Sequence, residues 1–508
     1  MRRFVLLAVC VGSCLVAGRA SAATYYISSS AGSDVWTAAQ AQSRSTPWAH
    51  LPCMANATGN AAAYTPVAGD TFVLKGGDTW TNASFPCTVA QSGTPGNVIT
   101  IGVDQTWFVG TSWVRPIWDA GGTAIRGPKN SFLNLMYRQY VTVSNIEIKG
   151  FYYSGAGSYG ACAMIQGSGG QNLTLDKLYI HGWSHDSYAA GGRDANCHVL
   201  LGDTNSPFMA GSVLQNSVID GSDSTGGGDS LSTYAWPSFI NNVIHDLPNM
   251  MLPLGNATIS GNSLYNCNPS FDPDTHGNFL QTLGGPAAGF TVYIHDNVFT
   301  NSSNRCEAAF LGNPGETDYV WNNVWYNLNE NGPALTQNVS PGKEVYFWNN
   351  IIVPPAGQYC LRPRDTQNYD VITIQNNHCI TTSSPAWDPN LTATTKTIST
   401  NVEQTPTVAT GQGYTTSQSP YVYFPTSGGS TIVAGVDLTS NCSGGLAGLC
   451  SDTSFGSVVG VGNAITGAGR TARVRPNGSA WDAGAYQYVP PSSALSGAVT
   501  LGGAAGLQ

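Results

Sequence analysis

The chain has 508 residues, of which 42% are hydrophobic and only 10% are charged, and it contains 60 Gly. This low charge content, together with many Gly, Ser, Thr and Asn, argues against helix-rich structure and favours short strands joined by tight turns. The chain carries 29 acidic against 20 basic residues, a balance that disfavours nucleic acids and anionic membranes as partners.

The first 22 residues have the three parts of a secretory leader. Arg2 and Arg3 form a positive start, residues 4–16 form an apolar core, and residues 20–22 (ASA) form a small-residue cleavage site. The apolar core is too short to span a bilayer. We therefore predict a protein secreted to the periplasm or the extracellular space, with no membrane insertion.

Cysteine usage agrees with export. Two of the 12 Cys lie in the leader, which leaves an even number in the mature chain and suggests disulfide bonds. Cys360 with Cys379, and Cys442 with Cys450, are candidate pairs because they are close in sequence. The full connectivity does not follow from the sequence.

Residues 23–130 are predicted to form an N-terminal cap and the first coils of a stacked fold. Three strand-like segments, TYYISSSAGSD from Thr24, GDTFVLKGGDTW from Gly69 and NVITIGV from Asn97, are separated by Gly, Pro and Asp turns. A stack needs such a closure, because its last rung would otherwise expose a sheet edge.

Between residues 131 and 395 a short phrase recurs, in which a β-branched or aromatic stretch is followed by Asn and another apolar residue. The phrase surrounds Asn145, Asn216, Asn242, Asn262, Asn297, Asn323, Asn350 and Asn377. From the second of these onward the steps are 20 to 35 residues, a period that indicates a stacked, quasi-one-dimensional fold. Asn tolerates the left-handed backbone of a tight corner, and stacked amides can hydrogen-bond between coils, so we interpret these Asn residues as structural.

The end of the chain differs in composition. Residues 396–490 are predicted to hold the C-terminal coils and a closing segment that ends in the strand-like WDAGAYQY from Trp481. Residues 491–508 are predicted to be a flexible tail.

The coils marked by Asn resemble the right-handed parallel β-helix of the pectate-lyase-like superfamily. The opening segments and the closing RPNGSAWDAGAYQY resemble the two ends of exported bacterial members, so that the resemblance covers most of residues 24–488. It implies an all-β, single-stranded right-handed parallel β-helix, and we expect a monomer. Because this fold hosts lyases, hydrolases, epimerases and binding proteins, the resemblance does not decide the activity.

Coil spacing brings several distant polar residues into one predicted column. The strand-like segments at His198, Asp229, His276, Glu307 and Arg362 are separated by about one or more coils. Strands in neighbouring coils lie roughly 4.8 Å apart, so these residues are expected to become neighbours on one wall. A groove with His, Asp, Glu and Arg on such a wall suits a long polysaccharide. His181 and His245, which follow strand endings, are interpreted as corner residues.

A lyase is the favoured activity, by a small margin. β-Elimination needs a group that neutralises a uronate carboxylate and a base that takes the neighbouring proton. We predict catalytic roles for His276 as the base, for Arg305 as the neutralising cation, and for Glu307 and Asp229. A Ca²⁺ ion could assist the neutralisation. Its predicted ligands are Asp223, Asp272 and Asp274.

Further residues near the column are predicted to bind the substrate, an extracellular polysaccharide. They are Arg193, His198, Trp236, Arg362 and Arg364. Arg362 could also neutralise a uronate, and an aromatic ring such as that of Trp236 could stack on a sugar.

Two alternatives stay open. Hydrolysis needs only two carboxyl groups across a glycosidic bond, and Asp229 with Glu307 or with Asp274 could supply them. A non-catalytic glycan-binding surface protein would instead present aromatic residues without a convergent acid and base. No catalytic signature of the related lyase or hydrolase families is present in full.

Overall fold

The chain forms a parallel β-helix. The computed structural model describes residues 21–125, 131–153, 162–185, 197–205, 208–223, 232–267, 277–283, 289–303, 306–312, 315–335, 343–364, 369–457, 459–461, 464–466 and 470–490. Successive coils each add a strand to the same parallel sheets, with neighbouring strands paired in register. The predicted fold class, almost all β and stacked in coils, is confirmed.

Two long parallel sheets, A and B, run along most of the described molecule. Sheet A contains Thr24–Ile27, Thr71–Gly76, Ile99–Phe108, Gln139–Ser144, Gln171–Asp176, Val213–Gln215, Ser238–Ile240, Ala257–Ser260, Phe290–His295, Glu316–Trp321, Glu344–Trp348, Tyr369–Gln375 and Ala393–Ser399. Sheet B contains Thr79–Thr81, Ile117–Thr123, Glu147–Tyr153, Tyr179–His181, Val218–Asp220, Val243–His245, Ser263–Cys267, Val298–Ser302, Val324–Tyr326, Ile351–Ile352, His378–Ile380 and Val402–Gln404, with Ser184–His185 beside it.

Two shorter parallel sheets, C and D, complete the wall. Sheet C contains Cys87–Thr88, Leu133–Asn134, Cys162–Gln166, Cys197–Leu201, Ser232–Tyr234, Asn249–Leu252, Gly277–Leu280 and Cys306–Glu307. Sheet D follows it in later coils, with Phe310–Leu311, Ala334–Leu335 and Arg362–Pro363. Each coil thus runs from sheet A to sheet B and on to sheet C or D.

Apolar side chains stack coil upon coil inside the helix. In sheet A one buried row consists of Ile259, Ile294, Val320, Phe347 and Ile374, which are paired in register. Burying an aliphatic or aromatic side chain of this size contributes about 1.5–3 kcal/mol, so the repeated rows supply the main stabilisation.

The corner between sheets A and B explains the repeated Asn. One set of Asn residues has a left-handed backbone, with φ between 51° and 59°: Asn145, Asn216, Asn241, Asn322, Asn349 and Asn376. A second set forms a ladder in which each side-chain Nδ2 donates to Oδ1 of the next at 2.9–3.1 Å: Asn242, Asn262, Asn297, Asn323, Asn350, Asn377 and Asn401. The structural role predicted for these Asn is confirmed. The prediction gave one Asn both the left-handed backbone and the stacked amide, whereas the structure gives them to different residues, which are adjacent in several coils.

The C-terminal segment packs back on the outside of the coils. Trp321 and Trp348 on the outer face of sheet A are covered by Leu438, Leu449 and Trp481. Beyond residue 395, further strands extend sheets A and B before this segment begins. The closing segment therefore covers a side of the stack as well as following its end.

Helices in the described part of the chain are short. The α-helices are Gly59–Ala63 and Pro406–Gly411, and the 3₁₀ helices are Gln40–Gln42, Asn82–Ser84, Thr416–Gln418, Thr439–Asn441 and Gly444–Cys450. Across the ranges given above, no helix combines the length and the apolar character that crossing a membrane requires.

Disulfide bonds join neighbouring parts of the coils. The predicted pairs Cys360–Cys379 and Cys442–Cys450 are confirmed. The described residues also contain Cys53–Cys87 and Cys267–Cys306, and Cys162 is disulfide-bonded as well. Bonds of this kind form in oxidising compartments, and they indicate an extracellular environment.

Candidate functional site

A row of polar side chains follows the last coils of sheet C. Asn249, Asn278 and Glu307 are paired in register. Nδ2 of Asn278 donates to Oδ1 of Asn249 at 3.1 Å and to Oε1 of Gln281 at 3.2 Å. Asn278 is fully buried, and its Oδ1 makes no hydrogen bond to any residue that the structure describes. An amide acceptor is therefore left over beside Glu307, because buried polar atoms normally find a partner.

Glu307 and Arg362 form the charged end of this row. Nη2 of Arg362 donates to both carboxylate oxygens of Glu307, at 2.9 and 3.0 Å. With the Asn331 amide turned so that its oxygen faces the guanidinium, that oxygen accepts from the same Nη2 at 3.2 Å. The exposed fractions are 12% for the Glu307 side chain and 19% for that of Arg362, so the pair is mostly buried yet open to solvent.

Arg364 lies two residues further along and is exposed. Its guanidinium stands 4.2 Å from the ring centroid of Phe310, a cation–π contact that fixes its position. Three of the residues predicted from the sequence, Glu307, Arg362 and Arg364, thus lie on the wall formed by sheets C and D.

A disulfide holds the strand that carries Glu307. Cys306, one residue earlier, is bonded to Cys267 at the end of the neighbouring sheet B strand. Because the bond joins the strands on both sides of the corner, it limits how far Glu307 can move.

The next corner, after the sheet D strand Phe310–Leu311, is held by three fully buried side chains around Gly312. The Gly312 N–H donates to Oδ2 of Asp318 at 2.7 Å, and its carbonyl accepts from Nζ of Lys343 at 2.7 Å and from the Tyr369 hydroxyl at 3.2 Å. Burial lowers the pKa of Lys343 to about 7. Burial and the nearby Glu316 carboxylate raise the pKa of Asp318.

Half of the predicted site lies outside the described residues. These are His276, Arg305, Asp229, Arg193, Asp272 and Asp274. Their roles as base, neutralising group, second carboxylate, substrate ligand and calcium ligands remain predictions.

The predicted substrate contacts of His198 and Trp236 are corrected, because both side chains are fully buried. His198 stacks on Tyr234 with ring centroids 5.3 Å apart, and burial lowers its pKa to about 3. Trp236 packs so tightly against Gly167 that a Cβ there would lie 2.6 Å from its ring. The polar loops next to these residues suggested exposure, but the side chains pack into the molecule and cannot contact a glycan directly.

A second polar group lies on sheet B. Nδ1 of His181 lies 2.7 Å from Oδ2 of Asp223, and Nε2 lies 3.3 Å from Oε1 of Glu147. Burial opposes the charge, but the hydrogen bonds to these two carboxylates raise the pKa of His181 to about 9. Asp223, a predicted calcium ligand, therefore forms an ion pair with a histidine here.

The next coils continue this group with three residues that could hold a metal ion. Asp220, His245 and Asp246 each offer a ligand atom, and these atoms lie within 4.8 Å of one another. Asp220 pairs in register with both His181 and His245. The sequence analysis interpreted the two histidines as corner residues and missed the group. The available signal was the recurrence of His or Asp at the ends of successive sheet B strands.

A cleft of about 540 Å³ opens beside this group, at the corner that leads away from sheet B. Asp246, Asn266, Asn301 and Asn327 line it, all with a left-handed backbone of φ 56–58°. Nδ2 of Asn327 donates to Oδ1 of Asn301 at 2.9 Å. The cleft is therefore walled by amides and by one carboxylate.

Comparison with known proteins finds relatives by structure alone. No protein-family model matches the chain, and no curated protein matches it. Among solved structures, a rhamnogalacturonan lyase is 12% identical with a TM-score of 0.43, covering 75% of this chain and 87% of its own. A GH136 lacto-N-biosidase from Eubacterium ramulus is 14% identical with a TM-score of 0.38, covering 75% and 68%.

A third similar structure is a surface protein, the adhesin PfbA of Streptococcus pneumoniae. It is 12% identical with a TM-score of 0.38, covering 67% of this chain and 85% of its own. A lyase, a glycosidase and an adhesin thus show the same low similarity. The assignment of the coils follows from the strand register of this chain itself.

Proposed function

We propose that this chain is a secreted enzyme that cleaves a uronic-acid-containing polysaccharide by β-elimination. The observation that carries the proposal is the Glu307–Arg362 pair, mostly buried yet open to solvent at the end of a polar row. A planar guanidinium is well suited to binding a carboxylate, and the Glu307 carboxylate already positions the guanidinium of Arg362.

In the proposed reaction Arg362 receives the uronate carboxylate and neutralises its charge. A base then takes the proton from C5, the electron pair forms the C4–C5 double bond, the C4–O bond breaks, and the leaving oxygen takes up a proton. Neutralisation matters because the C5 proton is too weakly acidic while the carboxylate keeps its full charge.

The ion pair gives Glu307 a role in this scheme. When the substrate carboxylate replaces it on Arg362, Glu307 becomes a free carboxylate next to the bound sugar, able to accept a proton or to orient the base. His276, Arg305 and Asp229 remain the predicted partners from the neighbouring loops. A calcium ion held by Asp residues remains a predicted aid to neutralisation.

Export and assembly belong to the same proposal. The leader in residues 1–22 would direct the chain out of the cell, where the disulfides form. The predicted monomer would bind a long glycan along the wall that carries Arg362.

The proposal is tested with purified mature protein and a panel of acidic and neutral polysaccharides. β-Elimination produces unsaturated uronates that absorb ultraviolet light, whereas hydrolysis produces only new reducing ends. We expect absorbance to rise when the wild type acts on an acidic glycan. In Glu307→Gln and in Arg362→Ala the rate of this rise should be about 10²–10³-fold lower, the range typical for the loss of a charge-stabilising group.

Matched controls are Glu344→Gln and Arg44→Ala. Glu344 is a partly exposed residue on sheet A, and Arg44 is an exposed residue in the N-terminal region. Both should keep wild-type rates. Full activity in Glu307→Gln and Arg362→Ala would refute the assignment of the site. Reducing ends without absorbance would favour a hydrolase, and binding without any cleavage would favour the glycan-binding protein.

A further inference from the structure

We propose that His245 and Asp220 bind a divalent transition-metal ion of the zinc type, with Asp246 positioning the histidine. This site lies on sheet B and does not depend on the proposed lyase activity. It uses neither the predicted calcium ligands nor the Glu307–Arg362 pair.

The ring nitrogens of His245 have different surroundings. Nδ1 lies 2.6 Å from Oδ2 of Asp246, which is a hydrogen-bond distance. Nε2 makes no hydrogen bond within the described ranges, although it is buried and His245 is only 5% exposed. The Asp246 carboxylate therefore fixes the proton of a neutral imidazole on Nδ1 and leaves the Nε2 lone pair available, an arrangement found at metal-ligating histidines.

The distance from Nε2 to the nearest carboxylate oxygen fits a shared cation. Nε2 of His245 lies 3.5 Å from Oδ1 of Asp220. A tetrahedral ion about 2.0–2.2 Å from each of two ligands holds them about 3.4 Å apart. A metal could therefore bind between these atoms with little movement of either side chain, and water would complete its coordination.

Both ligands are fixed before any ion binds. The Tyr265 ring stacks on the His245 imidazole, with centroids 4.5 Å apart and planes at 6°. The backbone N–H of Ser222 donates to Oδ1 of Asp220 at 2.9 Å and its hydroxyl donates to the same oxygen at 2.6 Å. The Tyr179 hydroxyl donates to the other oxygen at 3.3 Å. Such outer contacts orient ligands in metal sites.

Charge and access also favour a cation. Asp246 lines the open cleft of about 540 Å³, which gives an ion a path to His245. Asp220 and Asp246 bring two carboxylates to the single imidazole of His245, with ligand atoms within 4.8 Å of one another, and this charge favours a cation between them. An imidazole ligand selects zinc-like ions rather than Ca²⁺, which prefers oxygen ligands at about 2.3–2.6 Å.

The competing interpretation is that a proton occupies the position, giving an imidazolium between Asp220 and Asp246. The experiment separates the two. Mature protein is treated with a chelator, dialysed, and titrated with Co²⁺ and with Zn²⁺ by calorimetry, with Ca²⁺ as the comparison. Co²⁺ absorption in the visible range reports imidazole and carboxylate ligation directly.

We expect one Co²⁺ or Zn²⁺ ion per chain and visible absorption that Zn²⁺ abolishes, with much weaker binding of Ca²⁺. His245→Phe keeps the ring stack on Tyr265 and should lose the ion, as should Asp220→Asn. Asp246→Asn should weaken binding about 10–100-fold, the usual effect of changing the residue that orients a ligand histidine.

His295→Phe is the matched control. Nδ1 of His295 lies 2.7 Å from Asp296, and the ring stacks on Trp321, so the same His–Asp corner is repeated on sheet A. This variant should bind the ion as the wild type does. Circular dichroism tests whether each variant is folded. If His245→Phe does not fold, the comparison of the wild type with Asp246→Asn tests the proposal. Equal Co²⁺ affinities in the wild type and Asp246→Asn, or no stoichiometric Co²⁺ binding to the wild type, would overturn the proposal.

Discussion

Lys343 and Asp318 show how single buried charges hold the corner behind the candidate site. Both side chains are fully buried, and both bind the backbone of Gly312, which follows Phe310–Leu311, the strand next after that of Glu307. Apolar residues could fill the space, but they could not satisfy the Gly312 N–H and carbonyl. Burying a charge away from water costs stability. Burial therefore favours the neutral form of each group, which lowers the pKa of Lys343 and raises the pKa of Asp318.

Replacing Lys343 with Met should reveal this cost as a dependence on pH. Burial lowers the folded-state pKa of Lys343 from 10.5 to about 7. Between these values the unfolded chain binds more protons, so the lysine's contribution to stability rises with pH.

We therefore expect the free energy of unfolding of the wild type to rise relative to that of Lys343→Met between pH 7 and pH 10, on the order of a few kcal/mol. Below pH 7 the difference between the two proteins should change little. Urea unfolding of both proteins at each pH measures the difference. Lys396→Met is the control, since that amine binds the Leu391 carbonyl in a half-exposed position. A difference that is constant from pH 6 to pH 10 would contradict the assigned pKa shift.

Among the structural elements, the Asn ladder is the most regular. Each ladder Asn after Asn242 accepts from the backbone and side chain of the Asn before it, and donates to a backbone carbonyl of the preceding coil. For Asn323 the carbonyl is that of Ile294, at 2.9 Å, and the accepted bonds come from Asn297 at 3.1 and 2.9 Å. The ladder satisfies polar groups that the corner would otherwise bury.

Position within the ladder should therefore determine the cost of losing an amide. Asn323→Ala leaves buried partners without hydrogen bonds, and we expect a loss of about 3–5 kcal/mol, at roughly 1–3 kcal/mol for each unsatisfied group. Asn401 ends the ladder and is only half-buried, so water can replace its bonds. Asn401→Ala should cost about 1 kcal/mol. Thermal unfolding followed by circular dichroism compares the two, and equal losses would show that burial is not the cause.

The ladder also shows what sequence could and could not predict. The period of the Asn phrase placed the coils, because one coil must return the chain to the same corner. It could not tell which of two adjacent Asn takes the left-handed backbone, since both residues suit either position. Asn145 and Asn216 have that backbone and are not in the ladder.

The same limit applies to the candidate site. Coil spacing correctly predicted that Glu307 and Arg362, 55 residues apart, lie together. It could not predict that His198 and Trp236 are buried, because strands of sheet C bury successive side chains instead of alternating between inside and outside. The group at His245 was missed because it depends on the register of sheet B strands, which period alone does not fix.

At the scale of the whole molecule, the C-terminal segment packs on the coils through buried apolar clusters and through one buried charge, that of Arg475. Arg475 is 1% exposed, and its guanidinium donates to Oδ1 of Asn322 at 2.9 Å and to the carbonyls of Asp482 and Gly484 at 3.1 Å. The Trp481 ring lies 5.3 Å from it. One side chain thus ties a corner of the β-helix to the segment that covers sheet A.

Arg475→Met should loosen that segment while leaving the coils intact. The variant keeps much of the apolar volume but leaves buried acceptors unpaired, so we expect the segment to lose about 3–5 kcal/mol of stability. Stacked coils are stabilised by their neighbours, so this loss should stay local.

Limited proteolysis should then cut between residues 419 and 490 sooner than in the wild type, and tryptophan emission should shift to the red as Trp321 and Trp348 become exposed. Arg473→Met, at an exposed position two residues away, should behave as the wild type. If Arg475→Met instead loses all β signal in one step, the coils and the covering segment form a single cooperative unit, because the β-helix then depends on its outer cover.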